Sequence, residues 1–320
     1  YNTCATLTWR DGDRFGVSRM LNHDYNRARN AIVRTVFPVI SGYDLADATV
    51  ENLTVDGNRS ENGYLDGCRG GGVFLSQASN VTFKNVTVRD YNGDGISFQQ
   101  TTDVLIEDCV CHDNKGHGLH PGSGSVRPIM RRVKCVNNEV DGIYYCLRVS
   151  FSLTEDCTLE GNGQDGISVG ARDTDHVIRR NTVRNSGRHG IYFRQGDEAR
   201  AGHRCLVEAN VLEGNCAKEG MGGICIDGVT MDIHMKDNHV TTASREGQSA
   251  SGIVVGAEAS RIYSEGNEVA PSTTKVIEGK GSSDSIIHGP PPQPLRVGPD
   301  AAPADAARHL SRHEILRECT

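Results

Sequence analysis

The chain repeats a short phrase in which a glycine is followed by an aliphatic residue and an alternating segment of apolar and polar positions. The first five gaps between these glycines are 23 or 24 residues, and the last two are 33 and 29. Near-equal spacing predicts a repeat architecture in which each unit is one structural turn. The pairs are Gly72-Val73, Gly95-Ile96, Gly118-Leu119, Gly142-Ile143, Gly166-Ile167, Gly190-Ile191, Gly223-Ile224 and Gly252-Ile253.

A second alternating segment lies between successive glycines and ends on Asn, Asp or Cys. Alternation with a period of two indicates β-strands, and the asparagines that follow the segment indicate turns. The segments are Val81–Asn85, Val104–Cys109, Val177–Asn181 and Leu206–Asn210. The later asparagines are Asn92, Asn114, Asn138, Asn162, Asn185 and Asn215.

One repeat cannot bury its own apolar face, but repeats stacked at the strand spacing of about 4.8 Å can. Equivalent residues then form columns along the stack, and Cys109 and Cys157 are expected in a column that Asn181 and Asn210 fill in other coils. Two inward columns are expected, namely Ile96, Leu119, Ile143, Ile167 and Ile191, and Phe98, Pro121, Tyr145, Val169 and Phe193.

This repeat pattern resembles that of the pectate-lyase-like superfamily over roughly residues 48–270. The resemblance implies an all-β chain folded as a right-handed parallel β-helix, a solenoid of about 8–10 coils. It also implies a polysaccharide as the partner. The superfamily includes lyases, hydrolases, epimerases, esterases and phage tailspikes, so the fold alone does not select a reaction.

The ends of the chain lack the repeat. Residues 1–47, with a strand-like run over 32–37, are expected to cover the N-terminal end of the stack, where backbone groups would otherwise be unpaired. Residues 271–320 are expected to form a tail. Its Pro-rich stretch around 289–305 is typical of a linker, and residues 304–318 are expected to form a short helix with Leu310, Ile315 and Leu316.

Composition narrows the partners. The net charge is −7, from 34 basic and 41 acidic residues, which does not favour nucleic acid. No run of about 18 apolar residues occurs, so no membrane-spanning segment is expected. The eleven cysteines contain no CxxC pair, and most are expected to be small buried apolar residues. An extracellular or periplasmic location is favoured only by the function class, and the oligomeric state is left open.

Candidate functional residues are sought at outward positions. Residues one and three positions after each glycine point inward, so those two and four positions after it point outward. The sequence from Gly118 to Ser125 is a loop-like break in the strand pattern, so His120 is either a site residue or a solvated turn residue. Candidate catalytic residues are His120, Tyr144, Arg148, Asp173, Asp175 and Arg194. Candidate substrate-binding residues are Arg127, Arg172, Tyr192, Glu198, His203 and Arg204. The residues directly before the glycines are expected to cap turns, namely Asp94, His117, Asp141, Asp165 and His189.

Three functions are compatible with these residues. The first is β-elimination or C5-epimerisation of a uronate, with His120 as base, Tyr144 as proton donor, and Arg148, Arg172 and Arg194 neutralising the carboxylate. Calcium is an alternative to arginine, with Asp173 and Asp175 as ligands, although no complete calcium motif is present. The second is glycoside hydrolysis by Asp173 and Asp175, which are expected on one face about 7 Å apart. The third is a non-catalytic binding or structural β-helix, for which a featureless outer face is expected. In the simplest alternative, Arg148, Arg172 and Arg194 form only surface ion pairs with Asp173 and Asp175.

Overall fold

The computed structural model describes residues 5–21, 24–31, 33, 37–65, 70–215, 222–242, 252–270, 277–279 and 286–303. Apart from short 3₁₀ turns at Arg27–Arg29, Arg59–Glu61 and Pro299–Ala301, the regular structure of these residues is β-strand. No helix within these ranges is long and apolar enough to cross a membrane.

The strands are numbered in chain order. The first nine are β1 Leu7–Asp11, β2 Arg14–Val17, β3 Ile40–Tyr43, β4 Ala46–Asp56, β5 Gly71–Ser76, β6 Ser79–Arg89, β7 Asp94–Gln99, β8 Thr102–Glu107 and β9 Val110–His112. The next ten are β10 Leu119–Gly122, β11 Ile129–Arg131, β12 Lys134–Val136, β13 Ile143–Tyr144, β14 Leu153–Glu155, β15 Thr158–Glu160, β16 Ile167–Val169, β17 Val177–Arg179, β18 Thr182–Arg184 and β19 Ile191–Phe193. The last ten are β20 His203–Glu208, β21 Val211–Asn215, β22 Ile224–Ile226, β23 Met231–Lys236, β24 His239–Thr242, β25 Ile253–Val255, β26 Ser260–Glu265, β27 Glu268–Val269, β28 Ile277–Gly279 and β29 Ile286–His288.

Two long parallel sheets form the solenoid, which confirms the predicted right-handed parallel β-helix. The front sheet contains ten strands in the order β28-β25-β22-β19-β16-β13-β10-β7-β5-β3, so it has one strand from each coil. The back sheet contains 17 strands, from β4 to β29, and most coils contribute two of them. Strands β1 and β2 form a separate antiparallel hairpin. Strands β3 and β29 extend the stack on both sides of residues 48–270.

The repeat glycine is required because adjacent coils approach closely there. A Cβ on Gly142 would lie 2.6 Å from the backbone oxygen of Gly166 in the next coil. The glycines at 95, 118, 166 and 190 are equally confined. A Cβ at any of them would lie 2.5–2.7 Å from the backbone oxygen of the equivalent glycine in the next coil. No side chain fits at such a distance, so glycine at this point of each coil allows the stacking.

Inward side chains stack in register as the sequence predicted. Ile96, Leu119, Ile143, Ile167 and Ile191 are paired from coil to coil and have no solvent exposure. Buried amides continue the stacking at the turns, where Asn181 Nδ2 donates to Asn210 Oδ1 and Asn210 Nδ2 donates to Asn238 Oδ1, both at 2.9 Å. Cys157 adjoins this column, since its backbone N–H donates to Asn181 Oδ1. The cysteines of the described residues are free thiols and nearly all are buried.

The C-terminal residues that the structure describes run back along the outside of the back sheet. Gly298 donates its backbone N–H to the backbone oxygen of Asp175 at 2.8 Å and packs on Val177. The expected helix over 304–318 lies outside the described residues, as does most of the expected strand-like run over 32–37.

Candidate functional site

The residue two places after each repeat glycine forms an outward column across the front sheet. Tyr144 pairs with Ser168, and Ser168 pairs with Tyr192. The serines at 97 and 168, together with His120 and Cys225, are buried, whereas the two tyrosines are partly exposed. The column is therefore withdrawn from bulk solvent except at its two aromatic rings.

His120 lies in strand β10 and is buried, so it is not a solvated turn residue. Strand β10 pairs with β7 on one side and β13 on the other. Pro121 lacks an N–H, but its backbone oxygen still accepts the N–H of Cys146 at 2.9 Å. Pairing with both neighbouring coils therefore overrides the local signal of proline and glycine. As a result the ring of His120 is held rigidly on the front sheet.

Asp94 is the hydrogen-bond partner of His120 and was missed as a site residue. Its Oδ2 lies 2.6 Å from His120 Nδ1, and its Oδ1 accepts the backbone N–H of His117 at 2.8 Å. Burial disfavours the charged carboxylate, but His120 and His117 outweigh it and hold the pKa of Asp94 below its ordinary value. An ionised Asp94 fixes the His120 ring and keeps a proton on Nδ1, which leaves Nε2 as the basic nitrogen.

The residues before the glycines do cap turns, but two of them also belong to this site. Asp141 Oδ1 accepts the backbone N–H of Asp165 at 2.7 Å, and Asp165 Oδ1 accepts that of His189 at 3.2 Å, as turn capping predicts. Asp94 makes the same ladder contact with His117 and binds His120 in addition. The 26-residue separation of Asp94 and His120 is one coil of 23 residues plus three positions, and this diagonal spacing is the signal that could have revealed the pair.

Tyr144 lies between His117 from the preceding coil and Arg194 from a later one. Its ring stacks on that of His117 at 4.4 Å between centroids, and Arg194 Cζ lies 4.2 Å from its centroid. The His120 ring meets it edge-on at 5.3 Å. Burial raises the pKa of Tyr144 to about 12, so the phenol keeps its proton and can donate it.

Arg194 joins several groups of the front sheet. It donates to Ser168 Oγ at 2.9 Å and to the backbone oxygen of Tyr145 at 2.7 Å, and its Nη2 lies 3.6 Å from Asp173 Oδ2. Asp173 is fully buried and accepts the backbone N–H groups of Val149 and Gly170. Burial raises the pKa of Asp173 to about 7 against the opposing effect of Arg194.

Three other candidates lie in a column of left-handed turns next to the back sheet, here called the turn column. Asp103, Arg127, Asp175, Arg204, Asp232 and Arg261 all have positive φ there. Arg127 binds Asp103 through two hydrogen bonds of 2.7 and 2.6 Å, and Arg204 binds Asp175 through two of 2.8 Å. Asp175 therefore engages Arg204 whereas Asp173 engages Arg194. This arrangement does not favour a calcium ion shared by the two carboxylates.

The remaining candidates surround the insertion between β19 and β20. His203 Nδ1 accepts the backbone N–H of Met231, so its Nε2–H donates to the backbone oxygen of Glu198 at 2.8 Å. Arg172 Nε donates to the backbone oxygen of Ala199 at 2.9 Å. Arg148 occupies a left-handed turn between β13 and β14, and its backbone N–H donates to the backbone oxygen of Ala171 at 2.9 Å. The contacts of His203 and Arg172 hold the backbone of the insertion, whereas Arg148 is bound to the turn at Ala171.

A second aromatic unit lies further along the same face. Tyr192 stacks on His189 at 4.4 Å between centroids and donates its hydroxyl to Asp227 Oδ2 at 3.2 Å. His189 Nδ1 lies 2.8 Å from Asp165 Oδ1, which also accepts from Arg188. The front face thus presents two stacked His–Tyr pairs, one centred on Tyr144 and one on Tyr192.

Comparisons with known proteins agree with this architecture. The family model for a right-handed β-helix region matches residues 25–175 and 71–218, which together make up more than half of the chain. No curated protein matches the sequence significantly.

Similar solved structures include two Azotobacter vinelandii mannuronan C-5 epimerase A-modules. That of AlgE4 has 19% identity, covers 78% of this chain and 72% of its own, and has a TM-score of 0.61. That of AlgE6 has 16% identity, covers 77% and 74%, and has a TM-score of 0.53. The DFA-IIIase of Arthrobacter chlorophenolicus A6 has 12% identity, covers 74% and 62%, and has a TM-score of 0.53. At these identities the likeness concerns the fold, and by its family match the chain belongs to the right-handed β-helix family.

Proposed function

We propose that the chain is a carbohydrate-active enzyme that removes the C5 proton of a uronate residue within a polysaccharide of the alginate class. The observation that carries the proposal is the Asp94–His120 pair beside Tyr144 and Arg194 on one face of the front sheet. A base, a protonated phenol and a cation are the three groups that this chemistry needs. The fold shared with two mannuronan C-5 epimerase modules supports epimerisation as the outcome.

The proposed reaction begins when His120 Nε2 takes the proton from C5. The electron pair of the C5–H bond moves into the adjacent carboxylate, which becomes a dianion, and the guanidinium of Arg194 stabilises the added charge. Tyr144 then returns a proton to C5 from the opposite face of the sugar, which inverts the centre. If the electrons of this intermediate instead form a C4–C5 double bond and expel the oxygen on C4, with Tyr144 protonating that oxygen, the product is that of a lyase.

Hydrolysis by paired carboxylates has less support. Asp173 and Asp175 have different partners, and Asp175 belongs to the turn column, where Asp232 and Arg261 form the same bidentate pair. An Asp–Arg pair that recurs along the coils is explained by the turn itself.

The proposal is tested by exchange of the C5 proton in deuterated buffer. Polymannuronate is incubated with the chain, and proton NMR measures deuterium at C5 together with the new epimer. Ultraviolet absorbance measures the unsaturated product of elimination. Exchange accompanied by inversion is expected for the wild type, and His120→Asn is expected to lose at least about 100-fold of the rate, because general-base catalysis contributes that much.

Tyr144→Phe separates the two halves of the reaction. It removes the proton donor but keeps the ring between His117 and Arg194, so inversion is expected to fall more than proton removal. Arg261→Gln, at an Asp–Arg pair of the turn column, is the matched control and is expected to keep the wild-type rate. Absence of exchange on polymannuronate, polyguluronate and pectate would overturn the proposal.

A further inference from the structure

Asp94, His117 and His120 form a cluster of three metal-ligand types. One ligand atom from each residue lies within 4.8 Å of the other two, and no other group of three His, Cys, Asp or Glu residues is this compact in the described part of the chain. Asp94 and His120 are buried, and the side chain of His117 is 15% exposed. The proposed reaction uses Asp94 and His120 but gives His117 no chemical step.

The donor set selects a class of ion. Calcium and magnesium take oxygen ligands almost exclusively, whereas two imidazoles and one carboxylate suit zinc and neighbouring transition metals. A zinc ion binds nitrogen and oxygen ligands at about 2.0–2.1 Å, so tetrahedral ligand atoms lie roughly 3.3 Å apart. The present separations of up to 4.8 Å exceed that value, so ion binding requires side-chain rotation that brings the three ligand atoms closer together.

The ligands are also held in place by their surroundings. Strand β7 carries Asp94 and strand β10 carries His120, and the two strands pair directly. His117 Nδ1 accepts the backbone N–H of Asp141 at 3.3 Å, and Asp141 Oδ2 lies 3.2 Å from the same nitrogen. An ion bound at Nε2 would require the other tautomer, in which Nδ1–H donates to Asp141 Oδ2 instead. A carboxylate behind a ligating histidine is the usual outer support of a zinc site. The stacked ring of Tyr144 further restricts rotation of His117.

We propose that Asp94, His117 and His120 bind one zinc-class divalent ion, with Asp141 positioning His117 and the fourth ligand place left to water or a ligand oxygen. Ion binding and proton removal both require His120, so they exclude each other, and the metal-loaded chain does not carry out the proposed reaction. The binding itself depends only on the geometry of the cluster and is measured without a polysaccharide.

The test is a titration of the chelator-treated full chain with Co²⁺, followed by visible d–d absorption and by calorimetry, and then by competition with Zn²⁺. One Co²⁺ per chain is expected, with the intense bands of low coordination and without a thiolate-to-cobalt band. His117→Gln is expected to weaken binding by more than about 100-fold. Asp141→Asn, which removes only the outer support, is expected to weaken it about 10-fold. Circular dichroism checks that each variant is folded.

Two further variants locate the ion. His189→Gln is the matched control, because His189 also pairs with an Asp and stacks on a Tyr but has no third ligand beside it among the described residues. It is expected to bind Co²⁺ as the wild type does. His117→Cys is expected to add a thiolate-to-cobalt band. The proposal is overturned if the wild type shows no d–d bands, if the wild type shows a thiolate band, or if His189→Gln weakens binding as much as His117→Gln.

Discussion

The repeat glycine is the residue on which each coil contact depends. The Cβ of an alanine at position 142 would lie 2.6 Å from both the backbone oxygen of Gly166 and Leu159 Cδ2. Since a backbone cannot yield as a flexible side chain can, the coils must separate locally. We expect Gly142→Ala to lower the free energy of unfolding by about 2 kcal/mol or more, measured by chemical denaturation.

Gly63→Ala is the control for this substitution. A Cβ at position 63 would meet nothing within 4 Å, so we expect a change below about 0.5 kcal/mol. Equal losses for the two variants would show that close approach of the coils is not the reason for the glycine.

His176 gives the interior a specific sensitivity to acid. It is fully buried, its Nδ1 lies 2.6 Å from Ser152 Oγ, and its ring stacks on Tyr145. Burial lowers the pKa of His176 to about 3, whereas an unfolded histidine titrates near 6.5. Between these values the unfolded chain binds one more proton than the folded chain, so stability falls as the pH falls below about 6.5.

We expect His176 to contribute a slope of about 1.4 kcal/mol per pH unit between pH 6 and 4. Denaturation at several pH values measures it, and His176→Phe, which keeps a ring against Tyr145, is expected to remove that part of the slope. His239→Gln, at an exposed histidine, should leave the slope unchanged. A slope that persists in His176→Phe would assign it to other groups.

The strands of the back sheet carry a column of alternating charge. The paired residues are Glu51, Lys84, Glu107, Arg131, Glu155, Arg179, Glu208, Lys236 and Glu265. Each charge between the two ends of the column is flanked by opposite charges on both adjacent strands. A strand that slipped by one residue would turn its charge inward, so the column reinforces the register.

Glu155 is the most enclosed member of this column. It accepts hydrogen bonds from Arg131, Arg179 and Arg180, and these outweigh burial and lower its pKa to about 2. We expect Glu155→Gln to cost about 2 kcal/mol at pH 7, because three cations lose a partner that is itself nearly buried. The depressed pKa means that this stabilisation is complete above about pH 5 and is lost as the pH falls towards 2.

Glu160→Gln is the matched comparison, because Glu160 is more exposed than Glu155 and lies 4.0 Å from a single cation, Arg184. This substitution should lower the free energy of unfolding by no more than about 0.5 kcal/mol. Denaturation at pH 7 and pH 3 measures both variants. If Glu155→Gln costs as much at pH 3 as at pH 7, the loss does not come from the ionised carboxylate.

The elements were predictable from the sequence because their cause is local and periodic. The glycine–aliphatic pair, of which Gly142-Ile143 is one example, recurs at a nearly fixed spacing. This spacing is the length of one coil, so the sequence period predicts the stacking. The period alone does not fix the exact turn position. Ser186, and not Asn185, continues the amide column of Asn162, since Ser186 lies 24 residues on and its N–H donates to Asn215 Oδ1.

The candidate site was only partly predictable, because its contacts join different coils. His120, Tyr144 and Arg194 were identified because they lie two or four positions after a repeat glycine, where side chains are expected to point outward. Asp94 and His117 were assigned to turn capping, since their position before a glycine is the same as that of Asp165 and His189. Which capping residue also reaches a neighbouring ring depends on diagonal contacts between coils, and these appear only once the coils are stacked.

The whole molecule presents its front face as an extended surface for a chain ligand. From Asp94 on β7 to Asp227 just after β22 the face spans six coils, or five steps of about 4.8 Å, which is roughly 24 Å. Tyr144 and Tyr192 lie two coils apart on this face, each stacked on a histidine. Their spacing suits two separate contacts along one polysaccharide, so affinity should rise with oligosaccharide length until both rings are covered.

We therefore expect Tyr192→Ala to weaken the binding of long oligomannuronates about 5- to 10-fold, which corresponds to the roughly 1 kcal/mol that a stacked ring contributes. A disaccharide that occupies only the site around Tyr144 should bind the variant and the wild type equally. Calorimetry with oligomers of increasing length measures the difference, with Arg261→Gln as the control. Equal weakening for the disaccharide and the long oligomers would place both rings in one contact and would contradict a ligand that extends along the coils.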